Sequence, residues 1–188
     1  MSQREDAWQL LTDWVESPSL RKHMLCVEAA MRVYAKKYQA DEDLWGITGF
    51  LHDLDYERYP NPDPIAKTGH PFEGVKVLRE SEYSEEMIEA ILGHATYSGV
   101  PRETRMAKCL FAVDELCGFL VAIAYMRPDK LLGITPETVT KYLKKKKFAE
   151  KVSREEIAKG SMDLGISEEE HFQTVISALQ SISDKIGF

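Results

Sequence analysis

Cysteine is scarce in this chain, and the cysteines it has form no motif. Its 188 residues include 3 cysteines, Cys26, Cys109 and Cys117, at irregular spacing and without a Cys-x-x-Cys pair. A folded chain of this size buries roughly 70% of the surface that its unfolded form exposes, so its stability needs no disulfide. The odd, scattered cysteines therefore indicate reduced, mostly buried thiols and a cytoplasmic protein.

An excess of positive charge is also absent. Lys and Arg together number 24 against 31 Asp and Glu, which gives a formal net charge of -7. An acidic chain is a poor general binder of nucleic acid or of an anionic membrane surface, so we expect neither partner. With 44% hydrophobic and 29% charged residues, the composition is that of a soluble globular protein and not of a disordered one.

Hydrophobic runs suited to a membrane are missing as well. The N-terminal stretch MSQREDAWQL lacks the basic-then-apolar layout of a signal peptide. The most apolar window, from Cys109 to Met126, carries Asp114 and Glu115 near its middle. Each of these carboxylates costs roughly 2.5 kcal/mol or more at the centre of a bilayer, so the window predicts a buried helix.

No segment shows the sustained two-residue alternation of a β-strand. Apolar residues recur instead at steps of three and four, as at Leu20, Met24, Val27 and Met31, which is the period of a helix. The sequence therefore predicts an all-α fold. The predicted helices run over about 4–15, 20–38 after a Ser19 cap, 42–54, 71–80, 85–94, 103–126, from 135, 154–160 and 168–185.

One connection stands out between these helices. Residues 55–69 contain Pro60, Pro62 and Pro64, so they cannot form a helix, and a connection this long inside a compact domain is usually functional or mobile. We expect one domain over residues 1–188, with a core at about 19–127 and a smaller helical C-terminal section at about 128–188.

Most of the histidines occupy positions that direct them inward. His23 lies beside the apolar stripe of the second predicted helix, and the pair His52-Asp53 ends the third. His70 immediately precedes the fourth helix, and His94 extends the apolar face of the fifth. A lone histidine on an apolar face is more often a satisfied core residue than a ligand, and His171, in the polar start of the last helix, keeps that interpretation.

A carboxylate completes the pattern. Asp114 lies in the middle of the most apolar predicted helix, where an unpaired charge is expensive, so it should be neutral, paired with an Arg or bound to a cation. Imidazoles and carboxylates directed inward from five helices are what a metal site in a helical bundle requires. These donors suit first-row divalent ions such as Fe, Mn, Ni or Zn.

The order His23, then His52-Asp53, then Asp114 on successive helices resembles the HD-domain superfamily of metal-dependent phosphohydrolases. The runs GFLHDLDYERYPNPD, GHPFEGVKVLRE, IEAILGHATYSGVPRET, KCLFAVDELCGFLVAIAYMRPDK and KKKKFAEKVSREEI are similar to an uncharacterised bacterial HDIG-type hydrolase group. One departure is clear: where HDIG-type members place Ile-Gly after His-Asp, this chain has Leu54-Asp55. The departure leaves the ligands in place.

The resemblance implies a metal-ligand set. The minimal pattern binds one metal through His23, His52, Asp53 and Asp114. Two further histidines, His70 and His94, lie where binuclear members place ligands for a second metal, and Asp53 would then bridge the ions. We therefore expect about two divalent ions per chain, drawn from Fe, Mn, Ni, Zn or Mg.

The function expected from the resemblance is hydrolysis of a small phosphoester or nucleotide by metal-activated water, with no covalent enzyme intermediate and no assigned general acid. Lys67, Arg102 and Arg105 are the cations nearest to the ligands in sequence; they would contact phosphate or, equally, be solvated surface charges. Glu73 would orient the His70 imidazole or serve as a first-turn helix acid.

Two other functions remain open. Some superfamily members with six such ligands hold two irons and act as oxygenases, which iron content and oxygen uptake would reveal. A non-catalytic module, whose metal supports the fold or senses a ligand, would bind metal without turning over any phosphoester. Hydrolysis ranks first because it is the commoner superfamily chemistry.

Overall fold

The structure, a computed structural model, describes residues 3–188, and within that range its regular elements are helices. The nine α-helices are α1 Gln3–Trp14, α2 Pro18–Lys37, α3 Glu42–Leu51, α4 Phe72–Glu80, α5 Glu85–His94, α6 Arg105–Tyr125, α7 Pro136–Leu143, α8 Arg154–Leu164 and α9 Glu168–Gln180. Two 3-10 turns, at Thr96–Ser98 and Ser183–Ile186, and an isolated bridge between Asp63 and Thr68 accompany them. The predicted all-α fold is confirmed.

The helix starts follow local capping chemistry. The side chains of Ser84, Thr135, Ser153 and Ser167 each accept a backbone N–H from the first turn of the helix they precede. These contacts satisfy amides that have no partner inside the helix. The cap of α2 is Ser17 and not Ser19, because Pro18 occupies the first helical position, where its missing N–H costs nothing.

Three helix ends differ from the sequence expectation. α9 ends at Gln180, short of the expected residue 185, and a separate 3-10 turn follows at Ser183–Ile186. α3 ends at Leu51, so that His52 and Asp53 lie in the turn that follows the helix. α8 continues through Gly160 and stops at Gly165, whose φ of 68° is the left-handed conformation that glycine adopts freely. Gly160 has another role: a Cβ there would lie 2.7 Å from the Cα of Ala112. The glycine lets α8 approach α6 closely.

The apolar helix α6 is the centre of the packing. It contacts α2, α5, α8 and α9, and α2 also packs along α3. Leu110, Val113, Leu116 and Leu120 of α6 are fully buried, and burying a side chain of this kind stabilises the fold by roughly 1.5–3 kcal/mol. The helices that carry the candidate ligands are therefore held against one another by the core.

Among residues 3–188, none of the helices combines the length and the apolar character that crossing a membrane requires.

His171 joins three helices inside the core. Its side chain is fully buried; Nδ1 accepts a hydrogen bond from the Tyr34 hydroxyl at 2.6 Å, and Nε2–H donates to the Ala112 carbonyl at 2.9 Å. Burial disfavours the charged imidazole, as does the positive charge of Lys37, and the pKa of His171 falls to about 4. The neutral ring therefore ties α9 to α2 and α6.

This depressed pKa predicts an acid-sensitive fold. Below the ordinary histidine value of 6.5 and down to about 4, the unfolded chain binds a proton at His171 that the folded chain does not. Stability should therefore fall as the pH drops through that window, by up to about 3 kcal/mol from this group. In His171→Leu we expect a flatter profile, and a cost of about 2 kcal/mol at neutral pH because the Tyr34 hydroxyl loses its acceptor.

Denaturant titrations between about pH 7 and pH 4, with chelator present, measure both profiles. Parallel profiles for the two proteins would show that His171 does not govern the acid sensitivity.

Candidate metal centre

Six candidate ligands converge at one place in the fold. His23 belongs to α2 and Asp114 to α6; the others stand at helix ends, where the chain enters or leaves the core. They are His52 and Asp53 after α3, His70 before α4, and His94 at the end of α5. His23 Nε2 lies 2.9 Å from Asp114 Oδ1, and His52 Nε2 lies 3.4 Å from the same oxygen.

Asp53 lies between two groups of side chains. Its Oδ2 is 3.5 Å from His52 Nε2 and 3.8 Å from His23 Nε2. Its Oδ1 is 3.4 Å from His70 Nε2 and 3.6 Å from His94 Nε2. We call His23, His52 and Asp114 the first half of the cluster, and His70 and His94 the second half. One carboxylate oxygen of Asp53 thus faces each half.

Hydrogen bonds at the far side of three rings set their tautomers. The Nδ1 atoms of His52, His70 and His94 face the Gly49 carbonyl at 2.8 Å, Asp55 Oδ1 at 2.7 Å and the Ile91 carbonyl, respectively. These oxygens only accept hydrogen bonds, so in each ring Nδ1 carries the proton. In the neutral rings, each Nε2 therefore presents a lone pair toward Asp53, the arrangement of metal-binding histidines.

Two features of the cluster call for a cation. His52 Nε2 is buried and has no hydrogen-bond partner within the described part of the chain. The Nε2 atoms of His70 and His94 are 3.2 Å apart, and two lone pairs at that distance repel each other. Donor atoms within 4.8 Å of one another come from His23, His52 and Asp114, and again from His52, Asp53 and His94. The residues therefore fit a divalent metal ion.

The charges of the cluster lead to the same conclusion. Burial alone would raise the pKa values of Asp53 and Asp114, but the neighbouring histidines, His52 foremost, hold both below the ordinary range. For His52, burial disfavours the charged ring, yet the two carboxylates outweigh it and raise its pKa to about 9. The carboxylate pair is thus stabilised by positive charge at this point, whether a proton or a metal ion supplies it.

A pocket of about 400 Å³ opens beside the cluster and is lined by five of its six side chains, all except His52. The remaining wall consists of Leu20, Tyr56, Ala95, Thr96, Tyr97, Glu115, Gly118 and Glu156. Asp114 lines this pocket with 23% of its side chain exposed, so it is not enclosed by apolar neighbours as its position in α6 suggests. Its partners are histidines and not an arginine.

The pocket wall is acidic. Glu115 accepts a hydrogen bond from the Ser153 amide at 3.2 Å, and Glu156 accepts one from the Thr96 hydroxyl at 3.0 Å. Burial and the charge of Asp114 raise the pKa of Glu115 to about 7. Among residues 3–188, no lysine or arginine lines the pocket.

The three cations considered for phosphate contacts lie elsewhere. Arg102 donates to the Gly93 carbonyl at 2.8 Å, and its guanidinium stacks 3.8 Å above the Phe111 ring. Arg105 lies over the Tyr38 ring, and Lys67 is exposed in the proline-rich loop. These cations are near the ligands in sequence but do not line the pocket. The two arginines, which flank the start of α6, pack against neighbouring aromatic rings.

The structure also reveals contributors that sequence reasoning missed. Asp55, and not Glu73, accepts from His70 Nδ1; Glu73 pairs with Lys76 at 2.8 Å. The signal for Asp55 was its place directly after the His-Asp pair and Leu54. Glu156 gave no such signal, since it reaches the pocket from the C-terminal section.

The comparisons with known proteins agree with this geometry. The HD domain family model matches residues 20–118, a range that contains all six clustered side chains and more than half of the chain. The match confirms the resemblance at the level of the HD domain and does not distinguish an HDIG-type group. Searches of the curated proteins and of the solved structures each found no significant match.

Proposed function

The chain belongs to the HD-domain family, and on that premise we propose that it is a metal-dependent hydrolase of small phosphoesters. The observation that carries the proposal is the position of Asp53, one of whose oxygens faces each half of the histidine cluster. HD domains are typical of metal-dependent phosphohydrolases, and a carboxylate placed between two sets of imidazoles suits two ions.

The residues divide naturally between two ions. His23, His52, Asp53 and Asp114 would hold the first, and Asp53, His70 and His94 the second. When bound, such ions would lower the pKa of a coordinated water and polarise a phosphoryl oxygen, which is the chemistry that phosphoester hydrolysis needs. Four imidazoles and two carboxylates suit Fe, Ni and Zn best; Mn and Mg, also expected from the resemblance, prefer oxygen ligands.

The chain's own groups prepare the site before substrate arrives. The Nδ1–H groups of His52, His70 and His94 are held by fixed acceptors, so the rings cannot turn their Nε2 atoms away. The hydroxyls of Tyr56, Tyr97 and Thr96 belong to residues that line the pocket. Such hydroxyls suit hydrogen bonds to the polar part of a small substrate.

The pocket wall narrows the substrate class. With no lysine or arginine lining it among residues 3–188, the negative charge of a phosphoryl group must be balanced by the metal ions. Additional phosphates, as in a nucleoside triphosphate, would face Glu115 and Glu156, and like charges placed together are unfavourable. We therefore favour a phosphomonoester with an uncharged or cationic organic part.

The absence of lysine and arginine from the pocket wall, among residues 3–188, also suits a second function. An oxygenase with two irons could use the same six ligands on a substrate that carries no phosphate. A non-catalytic metal-binding module is the remaining alternative.

Metal content and turnover together test the proposal. Protein purified without chelator or a nickel column should contain about two first-row ions per chain. It should hydrolyse monoesters faster than nucleoside triphosphates and lose that activity on chelation. Iron accompanied by substrate-dependent oxygen uptake would identify the oxygenase instead. Stoichiometric metal without turnover of any phosphoester would favour the module.

A further inference from the structure

A buried carboxylate outside the ligand set has two specific partners. The Asp55 side chain is fully buried. Its Oδ1 accepts from His70 Nδ1–H at 2.7 Å, and its Oδ2 accepts from the Gly74 amide at 2.6 Å. Each oxygen of the carboxylate is therefore engaged by one donor, and one of those donors belongs to a candidate metal ligand.

The Gly74 contact ties the loop to the start of a helix. The residue before α4, Pro71, makes no side-chain cap hydrogen bond, so an amide of the first turn needs an acceptor from elsewhere. Asp55 provides it. A Cβ on Gly74 would lie 3.0 Å from the Asp55 Cγ and 3.2 and 3.3 Å from its oxygens, so a glycine at this position permits the close approach.

The His70 contact determines which ring nitrogen is protonated. A carboxylate cannot donate, so His70 must carry its proton on Nδ1. The opposite nitrogen, Nε2, then directs its lone pair toward Asp53 Oδ1 at 3.4 Å and His94 Nε2 at 3.2 Å. The Asp55 side chain thus both caps the start of α4 and fixes the His70 ring.

We propose that Asp55 is a positioning residue that fixes the tautomer and orientation of His70 and thereby completes the second half of the metal centre. The part that concerns metal binding rests on the proposed function. The part that concerns the tautomer rests on geometry alone. The proposal also gives a reason for an aspartate at the position where the HDIG-type pattern has glycine.

Asp55→Asn tests this with a nearly isosteric side chain. An amide has one accepting oxygen, whereas the site offers two donors. The Gly74 N–H cannot change its role, so it retains the oxygen, and the new NH₂ group faces His70 Nδ1. His70 is then expected to move its proton to Nε2, the nitrogen that the metal site requires to be free.

Two measurements follow from that switch. In metal-free protein, ring-nitrogen chemical shifts should show that His70 Nδ1 loses its proton in Asp55→Asn. In zinc titrations, the affinity of the second half should fall about 10- to 100-fold, the usual effect of removing a group that orients a ligand. Binding at the first half should not change. Glu73→Gln is the matched control, because Glu73 pairs with Lys76, and it should alter neither measurement.

Gly74→Ala provides a second route if Asp55→Asn fails to fold. Alanine is the better helix former, and its Cβ should displace the Asp55 carboxylate while leaving its charge. We expect weaker zinc binding at the second half. The proposal is overturned if the folded variant keeps His70 Nδ1 protonated and binds zinc at both halves as wild type does. A wild-type protein that binds neither zinc nor any other first-row divalent ion would reject the proposed function, and the chemical shifts would still decide the role of Asp55.

Discussion

Asp114→Asn is expected to cause a large loss of metal binding and of phosphoesterase activity. Asp114 Oδ1 is 2.9 Å from His23 Nε2 and 3.4 Å from His52 Nε2, so it is the charged member of the first half. An amide oxygen is a much weaker ligand for a first-row dication than a carboxylate. We expect metal affinity at the first half to fall by at least about 100-fold, with phosphoesterase activity falling alongside.

Thermal unfolding separates this ligand role from a purely structural one. A ligand present at about 1,000 times its Kd stabilises a folded protein by about 4 kcal/mol, and the variant should lose most of that gain. With chelator present, the variant should unfold at a somewhat lower temperature than wild type, because it loses the attraction between Asp114 and the protonated His52. The amide oxygen can still accept from His23, so this difference should be smaller than the one measured with metal. Unfolding temperatures that fall equally with and without chelator, together with normal metal content, would assign Asp114 a structural role.

Glu115→Gln supplies the matched control for this measurement. Above the Glu115 pKa of about 7, it removes one negative charge from the neighbouring residue of α6, and its remaining oxygen can still accept from the Ser153 amide. Its metal affinity should stay within a few-fold of wild type. An equal loss in both variants would mean that the overall negative charge of the pocket, and not ligation by Asp114, governs metal binding.

Helix periods and cap residues were sufficient to predict the fold class. The predicted starts at Ser84, Ser153 and Ser167 are confirmed because N-cap chemistry is local. The predicted end of α8 at Gly160 was wrong. Gly160 does not stop the helix; it packs against Ala112 of α6. That contact joins residues far apart in the chain, and local propensity holds no information about it.

The candidate site, like the fold, could be predicted only in part from the sequence. Inward-facing histidines and aspartates could be found from helical position, and the structure brings all six together. The pocket wall could not be found, because Glu156 arrives from a helix whose packing on α6 no local pattern indicates. Arg102 and Arg105 are the converse case: they are close to His94 in sequence, but they stack on Phe111 and Tyr38, which local sequence does not show.

The number of metal ions is the prediction that most directly tests the division of the cluster into halves. Changing both His70 and His94 to Ala should lower the metal content from about two ions to about one, since Asp53 and the three residues of the first half remain to hold an ion. We also expect phosphoesterase activity to be largely lost, because the proposed hydrolysis would need both ions, one to lower the pKa of a water and the other to polarise a phosphoryl oxygen.

His94→Ala alone is the cleaner variant. His94 Nδ1 donates only to the Ile91 carbonyl of its own helix, so its removal leaves no buried charge behind. Removing His70 leaves the buried Asp55 carboxylate with the Gly74 amide alone, and a buried charge that loses its partner typically costs about 3–5 kcal/mol. Both variants should therefore lose one ion. With chelator present, the single variant should lose little stability, whereas the double variant should unfold more easily.

His171→Leu is the control for loss of a histidine as such, since His171 contacts Tyr34 and Ala112 and no member of the cluster. It should retain about two ions under metal-replete conditions. A wild-type content that never exceeds one ion would reject the second half as a metal site. In that case a proton would have to bridge the His70 and His94 nitrogens, which lie 3.2 Å apart, and His94→Ala would keep the metal content of wild type.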